Sequence, residues 1–410
     1  MKETKFKDTE IGRIPEEWEI GYFGDVLCTF SAGATPYRGI PDYYNGKINW
    51  ISSGELNYNV IYDTIEHISE EALRNTNLCL HAPGTLLMAI TGLEATGTRG
   101  KCAFVGAPSA TNQSCLAING TNKMVIKYLY WYYRMYGDYL AFKYSQVTKQ
   151  QSFTATIVKN LPITYPKQVI EQHHIASALT SIDNLIASLG KLIEKKKNIK
   201  QGAMQQLLTG KTRLKGFTEP WVYRKISEIA TTSSGGTPSR SIPNYYYGDI
   251  KWFTTTELKD NYLYDSVEHI TREALNNSSA KMFSANTILM AMYGATIGKL
   301  GVLKEPSTTN QACCAIKCND IVEIFLFYIL LYNRKSIIEK GCGAGQPNIS
   351  QAIVNELSFL VPPCEKEQQA IATILTKMDN EITALEAKRA KYEAIKQGMM
   401  QQLLTGKIRL

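Results

Sequence analysis

The chain is two related copies of about 200 residues laid end to end, so any fold it adopts has to build the same unit twice. Residues 35–56 and 237–258 align at a constant offset of 202 with 12 identities in 22 positions, among them a Thr-Pro pair, a Tyr-Tyr pair and a Trp. The same offset carries Tyr62-Asp63 onto Tyr264-Asp265, Glu66-His67-Ile68 onto Glu268-His269-Ile270, and Leu87-Met88-Ala89 onto Leu289-Met290-Ala291. It falls to 198 at Thr111-Asn112-Gln113 and Thr309-Asn310-Gln311, which gives the first copy four extra residues near 93–96, expected to lengthen a loop. The ends of the copies have diverged least: residues 199–214 and 395–410 agree at 14 of 16 positions.

Each copy separates by pattern into two parts. Residues 1–166 and 215–363 mix short β-branched and aromatic runs with Gly, Pro, Asn and Ser punctuation, so the fold class read from the sequence is α/β (α+β), two compact loop-rich domains. Residues 167–214 and 364–410 read as one long helix each. In the first, Ile175, Leu179, Ile182, Ile186, Leu189 and Ile193 are spaced as a heptad seam, and Ile371, Leu375, Met378, Ile382 and Leu385 repeat it in the second. Pro166 and Pro362-Pro363 precede the helices, and Gly210 and Gly406 are placed to stop them. At ~1.5 Å per residue, a helix over 171–209 extends roughly 58 Å. Two seams in one chain most simply pair with each other, which predicts an antiparallel coiled coil and a pseudo-twofold, circular arrangement of the two domains. A homodimeric coil between two chains is the alternative.

Composition narrows the class. With 44% hydrophobic and 20% charged residues the chain is neither disordered nor collagen-like. Nine cysteines, two of them adjacent at Cys313 and Cys314, lack the dense pairing of secreted scaffolds and fit a reducing cytoplasm. Residues 1–10 are polar with no apolar core, so no secretory signal is expected, and the longest apolar run, 321–332, contains Glu323 and is too short to span a bilayer. A cytoplasmic protein without membrane contact is the expectation. The net charge of +8 suits a polyanionic partner if it is spread over the two domains.

The catalytic constellations that the sequence approaches are incomplete. Gly341, Gly343 and Gly345 follow a helix-like stretch rather than a strand, and the matching residues 144–152 contain no glycine, so a cofactor loop is not implied. Residues 294–299 are one short of a phosphate loop, and the Asn-Pro-Pro-aromatic signature of amino-group methyltransferases is missing. A metal-dependent nuclease, the competing enzyme class, needs an acidic pair and a Lys at Pro-Asp then Glu-x-Lys spacing. The first copy has Pro41-Asp42 and Glu55 but Asn57 in place of Lys; the second has Glu257 and Lys259 but Asn244 in place of Asp. His67 and His269 sit in equivalent strings that read as turns entering a helix, and Cys314 to Cys318 has no partner at zinc spacing. The expectation is a chain with no catalytic residue, no metal site and no cofactor of its own.

What the sequence does supply is the chemistry of nucleic-acid recognition: 24 tyrosines, and loops in which Arg or Lys alternates with Thr, Ser, Gln and Asn. Gln and Asn match adenine, Arg matches guanine, and Thr, Ser and Lys hold phosphates. In the first copy the candidates are Thr35 and Arg38, then Thr98, Arg99 and Lys101, then Gln113, then Lys149, Gln150 and Gln151. In the second they are Thr237 and Arg240, Lys299, Gln311, Gln346 and Asn348. An Arg paired with guanine contributes roughly 1 to 3 kcal/mol of discrimination. The seven tyrosines between 128 and 144 invite a stacking stripe, but the equivalent 325–332 is aliphatic and aromatic at helical spacing, so a packed helix is expected.

With these residues in view, the chain resembles the DNA-specificity subunit of a type I restriction-modification system. The resemblance rests on an ordered double set: Ile14 to Trp18 and Glu219 to Trp221, the Gly-x-Thr-Pro loop in each copy, and a long helix ending Gln-Gln-Leu-Leu-Thr-Gly-Lys at 205–211 and 401–407. It implies two target-recognition domains, each reading one half of a bipartite double-stranded DNA site, on helices that set the spacing and dock two adenine methyltransferase subunits. Restriction subunits would join them, and S-adenosylmethionine, ATP and Mg would belong to those partners. The chain would be a monomer within the complex. A methylation-only or related type II system is the alternative within the class. Half-sites one helical turn apart lie ~34 Å from each other, within reach of such helices. The copies differ at Tyr37 against Ser239, at the four-residue insertion, and at Gln150-Gln151 against the Gly-rich stretch before Gln346, which predicts an asymmetric site.

Overall fold

The computed structural model describes residues 5–9, 12–93, 98–145, 151–341 and 348–410. The chain forms two compact units, one from residues 1–189 and 388–410, the other from 190–387. Each therefore combines a globular domain with segments of both long helices.

In the first unit a five-stranded sheet runs in the order Leu27–Ala32, Cys115–Gly120, Leu86–Ala89, Cys102–Val105, Val60–Ile61. All neighbours are antiparallel except the last pair. A three-stranded sheet pairs Ile48–Ile51 with Ser109–Thr111 in parallel and with His67–Ile68 antiparallel. The second unit repeats both sheets in the same order, with Ile288–Ala291 and Ile250–Phe253 in the central positions. This is the expected mixture of helices with separate, mainly antiparallel sheets. His67 and His269 lie on short strands rather than in turns, because Ile68 and Ile270 are buried against the tryptophans of the adjoining strand.

Alternation along one strand divides each core in two. Leu86 and Met88 face a core that also holds Trp18, Tyr128 and Trp131, while Leu87 and Ala89 face a smaller one with Ile51 and Val105. Ile288 and Met290 against Leu289 and Ala291 do the same in the second unit. The tyrosine-rich segment is the helix Ile126–Tyr144, with Tyr128 to Tyr133 buried, so packing rather than stacking accounts for those rings. Its counterpart is two helices, Glu323–Tyr332 and Arg334–Gly341, parted at Asn333, whose side-chain amide donates to the Ile329 carbonyl.

The long helices span Val169–Leu207 and Glu365–Leu403. Among the seam residues, Ile175, Leu179, Ile371 and Leu375 belong to the large domain cores, whereas Ile186, Leu189, Ile193 and Ile382 are buried outside them. Ile182, Met378 and Leu385 are half-buried. The first turns of the seam are thus core residues before they are a coiled coil.

Within each unit the two helical segments run antiparallel. In the first, Arg409 pairs with Glu171 and Lys396 with Asp183; in the second, Arg213 pairs with Glu367, Lys200 with Asp379 and Lys196 with Glu381. Glu171 and Glu367 are almost fully buried, and each is held by a bidentate Arg from the opposite helix's tail. The neighbouring Gln172 and Gln368 fasten each helix to its domain: their amide groups donate to the carbonyls of Pro166 and Pro362, and their oxygens accept the N–H of Val125 and Val322 at 2.8 Å.

The repeated Leu-Leu-Thr-Gly-Lys tails now have a physical reason. Gly406 and Gly210 end the helices at φ +67° and +68°, a left-handed stop that glycine adopts without strain. Just before them Leu403 and Leu404 enter the core of the first unit, and Leu207 and Leu208 that of the second.

Leu404→Ala is expected to cost about 2–5 kcal/mol and to raise amide exchange around Trp18, nearly 400 positions away in sequence. Exchange confined to the second unit would contradict the assignment. Gln172→Ala removes the partner of the Val125 N–H and of the Pro166 and Lys123 carbonyls and should lower stability by about 1–3 kcal/mol in a urea titration.

Candidate nucleic-acid interface

The Gly-x-Thr-Pro loops are shaped by close packing. A Cβ on Gly33 would lie 1.9 Å from the Thr111 carbonyl oxygen, and one on Gly235 2.2 Å from the Thr309 hydroxyl, so only glycine fits there. The loop is then tied down from below. Trp50 Nε1 donates to the Ala34 carbonyl at 3.1 Å and Tyr44 Oη to that of Pro36 at 2.6 Å; Trp252 and Tyr246 make the same bonds to Gly236 and Pro238.

On this base the structure brings together candidates far apart in sequence. The Thr35 hydroxyl donates to the Gln113 amide oxygen, and Thr237 to Gln311. Each glutamine thereby keeps its amide N–H₂ for another acceptor, which is the donor half of an adenine contact.

Arg38 and Arg240 belong to the same loops, but the structure gives them a different setting from the one expected of a guanine reader. Arg38 makes two parallel bonds to Glu66, at 2.5 and 2.8 Å, and lies 4.3 Å over the Tyr44 ring and 5.4 Å from that of Trp50. Arg240 repeats this with Glu268, Tyr246 and Trp252. The hydrogen bonds from Arg38 and Arg240 hold the two carboxyls below the usual glutamate range. A depressed carboxylate keeps the pair charged at neutral pH, and the contribution is lost only as the pH falls through that lowered value. Sequence reasoning missed this clamp, although Glu66 and Glu268 stood in the duplicated Glu-His-Ile strings.

The second candidate cluster is joined through Leu93, whose N–H donates to the Gln151 carbonyl and whose carbonyl accepts from Arg99 Nε. Arg99 also lies 3.6 Å from Asp138 and is largely buried, so it braces the loop rather than projecting from it. The Thr98 carbonyl accepts the N–H of Lys101, closing a turn that recurs between Thr296 and Lys299. In the second unit Asn348 is exposed and bridges to Tyr293. Lys149, Gln150 and Gln346 lie outside the described residues, as does most of the four-residue insertion.

Lys101 and Lys299 are equivalent in position and opposite in company. Lys101 Nζ donates to the Asn57 amide oxygen at 2.7 Å and sits 4.7 Å from the Tyr58 ring. Lys299 is paired at 3.1 Å with Asp260, which also takes Arg334. Lys101 therefore sits beside a neutral amide and a ring, where Lys299 shares one carboxylate with Arg334.

The net charge does not reside on the two domains. Residues 1–166 carry fifteen basic and fifteen acidic side chains and 215–363 carry fourteen and thirteen, whereas 167–214 carry eight against three and 364–410 eight against six. The excess belongs to the helices. Glu55 and Glu257, the carboxylates weighed for a nuclease, each accept three hydrogen bonds from their own turns and the next, including Ser52 N and Ile65 N for Glu55. No helix among the described residues is long and apolar enough to cross a membrane.

A family profile described as the type I restriction modification DNA specificity domain matches residues 15–200 and again 218–397. The chain belongs to this family, and its copies are the two tandem DNA-recognition domains of a specificity subunit. It is 32% identical to the MjaIX specificity subunit of Methanocaldococcus jannaschii and 26% to the MjaVIII subunit, in each case over 100% of this chain and 97% of the relative. Against the EcoR124I/EcoR124II specificity subunit of Escherichia coli it is 27% identical over 66% of this chain and 70% of the other. The fold matches the crystal structure of a type I S subunit from M. genitalium, with a TM-score of 0.63, 15% identity, and coverage of 94% of this chain and 96% of that one.

Because the Arg clamps are identical in both domains, Arg38→Ala is expected to weaken binding to every sequence tested; a loss confined to one base pair would restore Arg38 as a base reader. Lys101→Gln should reduce the slope of log affinity against log salt by about 0.9 if the lysine meets one phosphate. Lys299→Gln should change it less, and equal changes would count against the contrast.

Proposed function

We propose that the two domains read the two halves of an asymmetric bipartite DNA sequence, while the helices fix the unread gap and dock two adenine methyltransferase subunits. The observation that carries the asymmetry is the Lys101 and Lys299 contrast on an otherwise duplicated frame. Identical readers related by a pseudo-twofold would recognise inverted copies of one sequence; different readers recognise two. Supporting this, the differences fall at exposed loop positions, Tyr37 against Ser239 and Asn57 against Lys259, while Thr35, Arg38 and Gln113 have identical counterparts.

In this reading the chain contributes recognition and spacing but no chemistry. S-adenosylmethionine is held by the methyltransferase subunits, and ATP and Mg by restriction subunits that join them. The Gln113 and Gln311 amides are suited to adenine, and the helix lysines supply positive charge that the near-neutral domains lack.

Methylation mapping in cells carrying the complete system is expected to return two unlike half-sites separated by a fixed gap; a palindromic motif refutes the asymmetric reading. Lengthening both helices by the same few residues should change the gap and leave both half-sites intact. Altered half-site bases would refute the spacing role.

A further inference from the structure

Residues 62–66 and 264–268 form a turn that recurs with three of five residues identical and conservative changes at the other two, and its last residue, Glu66 or Glu268, clamps the arginine of the reading loop. Thr64 and Ser266 are buried beneath it, and each hydroxyl accepts the N–H of Trp50 or Trp252 and donates to the backbone oxygen of Glu66 or Glu268 at 2.7 Å. Asp63 and Asp265 accept the following N–H at 3.0 Å and hydrogen-bond the rings of His67 and His269. Glu55 and Glu257 take the N–H of Ile65 and Val267 at 3.0 and 2.8 Å.

This rigid frame presents apolar side chains to water. Ile65 is 84% exposed and Val267 85%; Tyr62 and Tyr264 are 69% and 66% exposed. Such side chains contribute nothing to either core, and a polar residue would serve a turn better. Yet the β-branched tip and the tyrosine are present twice, although Asn57 and Tyr58, close by in sequence, have become Lys259 and Asp260.

The charge beside the tip decides what kind of surface it fits. Asp63 and Asp265 have side chains 82% and 71% exposed, and the bond from His67 or His269 holds each carboxyl below its usual range. In the second copy Lys251, which donates to the Tyr264 carbonyl, is itself paired with Glu305. An anionic tip is repelled by phosphate and complements a protein surface that pairs an apolar socket with a cation.

We propose that the turns 62–65 and 264–267 are docking knobs, each entering an apolar socket with a basic rim on one of the two methyltransferase subunits. The inference rests on the reading above, in which two copies of one partner bind this chain. Two identical partners require the same knob twice, whereas two half-sites require different readers.

The test combines Ile65→Asp with Val267→Asp in the full chain and titrates it with purified methyltransferase subunit. Affinity is expected to fall about tenfold or more, equivalent to ~1.4 kcal/mol, with the half-site preference of the assembled complex unchanged. Ile65→Val combined with Val267→Ile should bind as the parent does. Unaltered methyltransferase affinity in the Asp variant overturns the proposal, as does loss of DNA affinity alone, which would mark the tip as a groove wedge. Ile65→Cys carrying a photoreactive label gives a readout independent of stability: a crosslink to the methyltransferase supports the knob, and a crosslink only to DNA sinks it. Should the parent chain itself bind no methyltransferase, the underlying reading fails, and the knob with it.

Discussion

The structure depends on how the head of each long helix is buried. A helix that begins inside a domain exposes backbone groups and a charged first turn to a poorly solvated setting, and those groups need partners. Here the partners are paired and specific: a glutamine that bonds its own domain on two sides, and a glutamate closed by an arginine from the tail of the opposite helix. Burying a charge and its partner is weak evidence of net stability; its consequence here is for register. Slipping either helix by one turn would strand Glu171 or Glu367 without its arginine. The antiparallel alignment follows from that requirement together with the apolar seam.

Around these fixed heads the two copies divide their residues between frame and reading surface. The frame is the same in both: the Trp and Tyr beneath the Gly-x-Thr-Pro loop, the arginine stacked above them, the Thr and Gln joined across it. The variation lies in what surrounds the equivalent lysines. A duplicated frame lets one domain's loops change without disturbing the other's, because each loop is held by bonds internal to its own domain.

Much of this could be read in the sequence. The offset of 202 exposed the repeat, and the heptad spacing showed a long helix in each copy, starting within two residues of 167 and 364 but ending at 207 and 403, short of 214 and 410 and just before the two glycines. Thr35 and Gln113 were chosen for their chemistry, and the fold brought them into contact. What could not be read were partners fixed by tertiary packing. Nothing local distinguishes Arg38, clamped by a glutamate 28 residues away, from a free arginine on a loop, or tells that Arg99 turns inward to Leu93. Net charge misled for a related reason, since composition sums over segments that the fold keeps apart.

The tail that completes the first unit has a consequence for synthesis. Met400, Leu403 and Leu404 share a core with Trp18, yet they leave the ribosome long after it. Between the end of the first unit's opening segment at Leu189 and its closing segment at Lys388 lies the whole of the second unit. At ~5–20 residues per second those 198 residues take roughly 10–40 s to make. Throughout that interval the first domain carries an open apolar groove over Trp18, while the second unit, being contiguous, closes as soon as it is made.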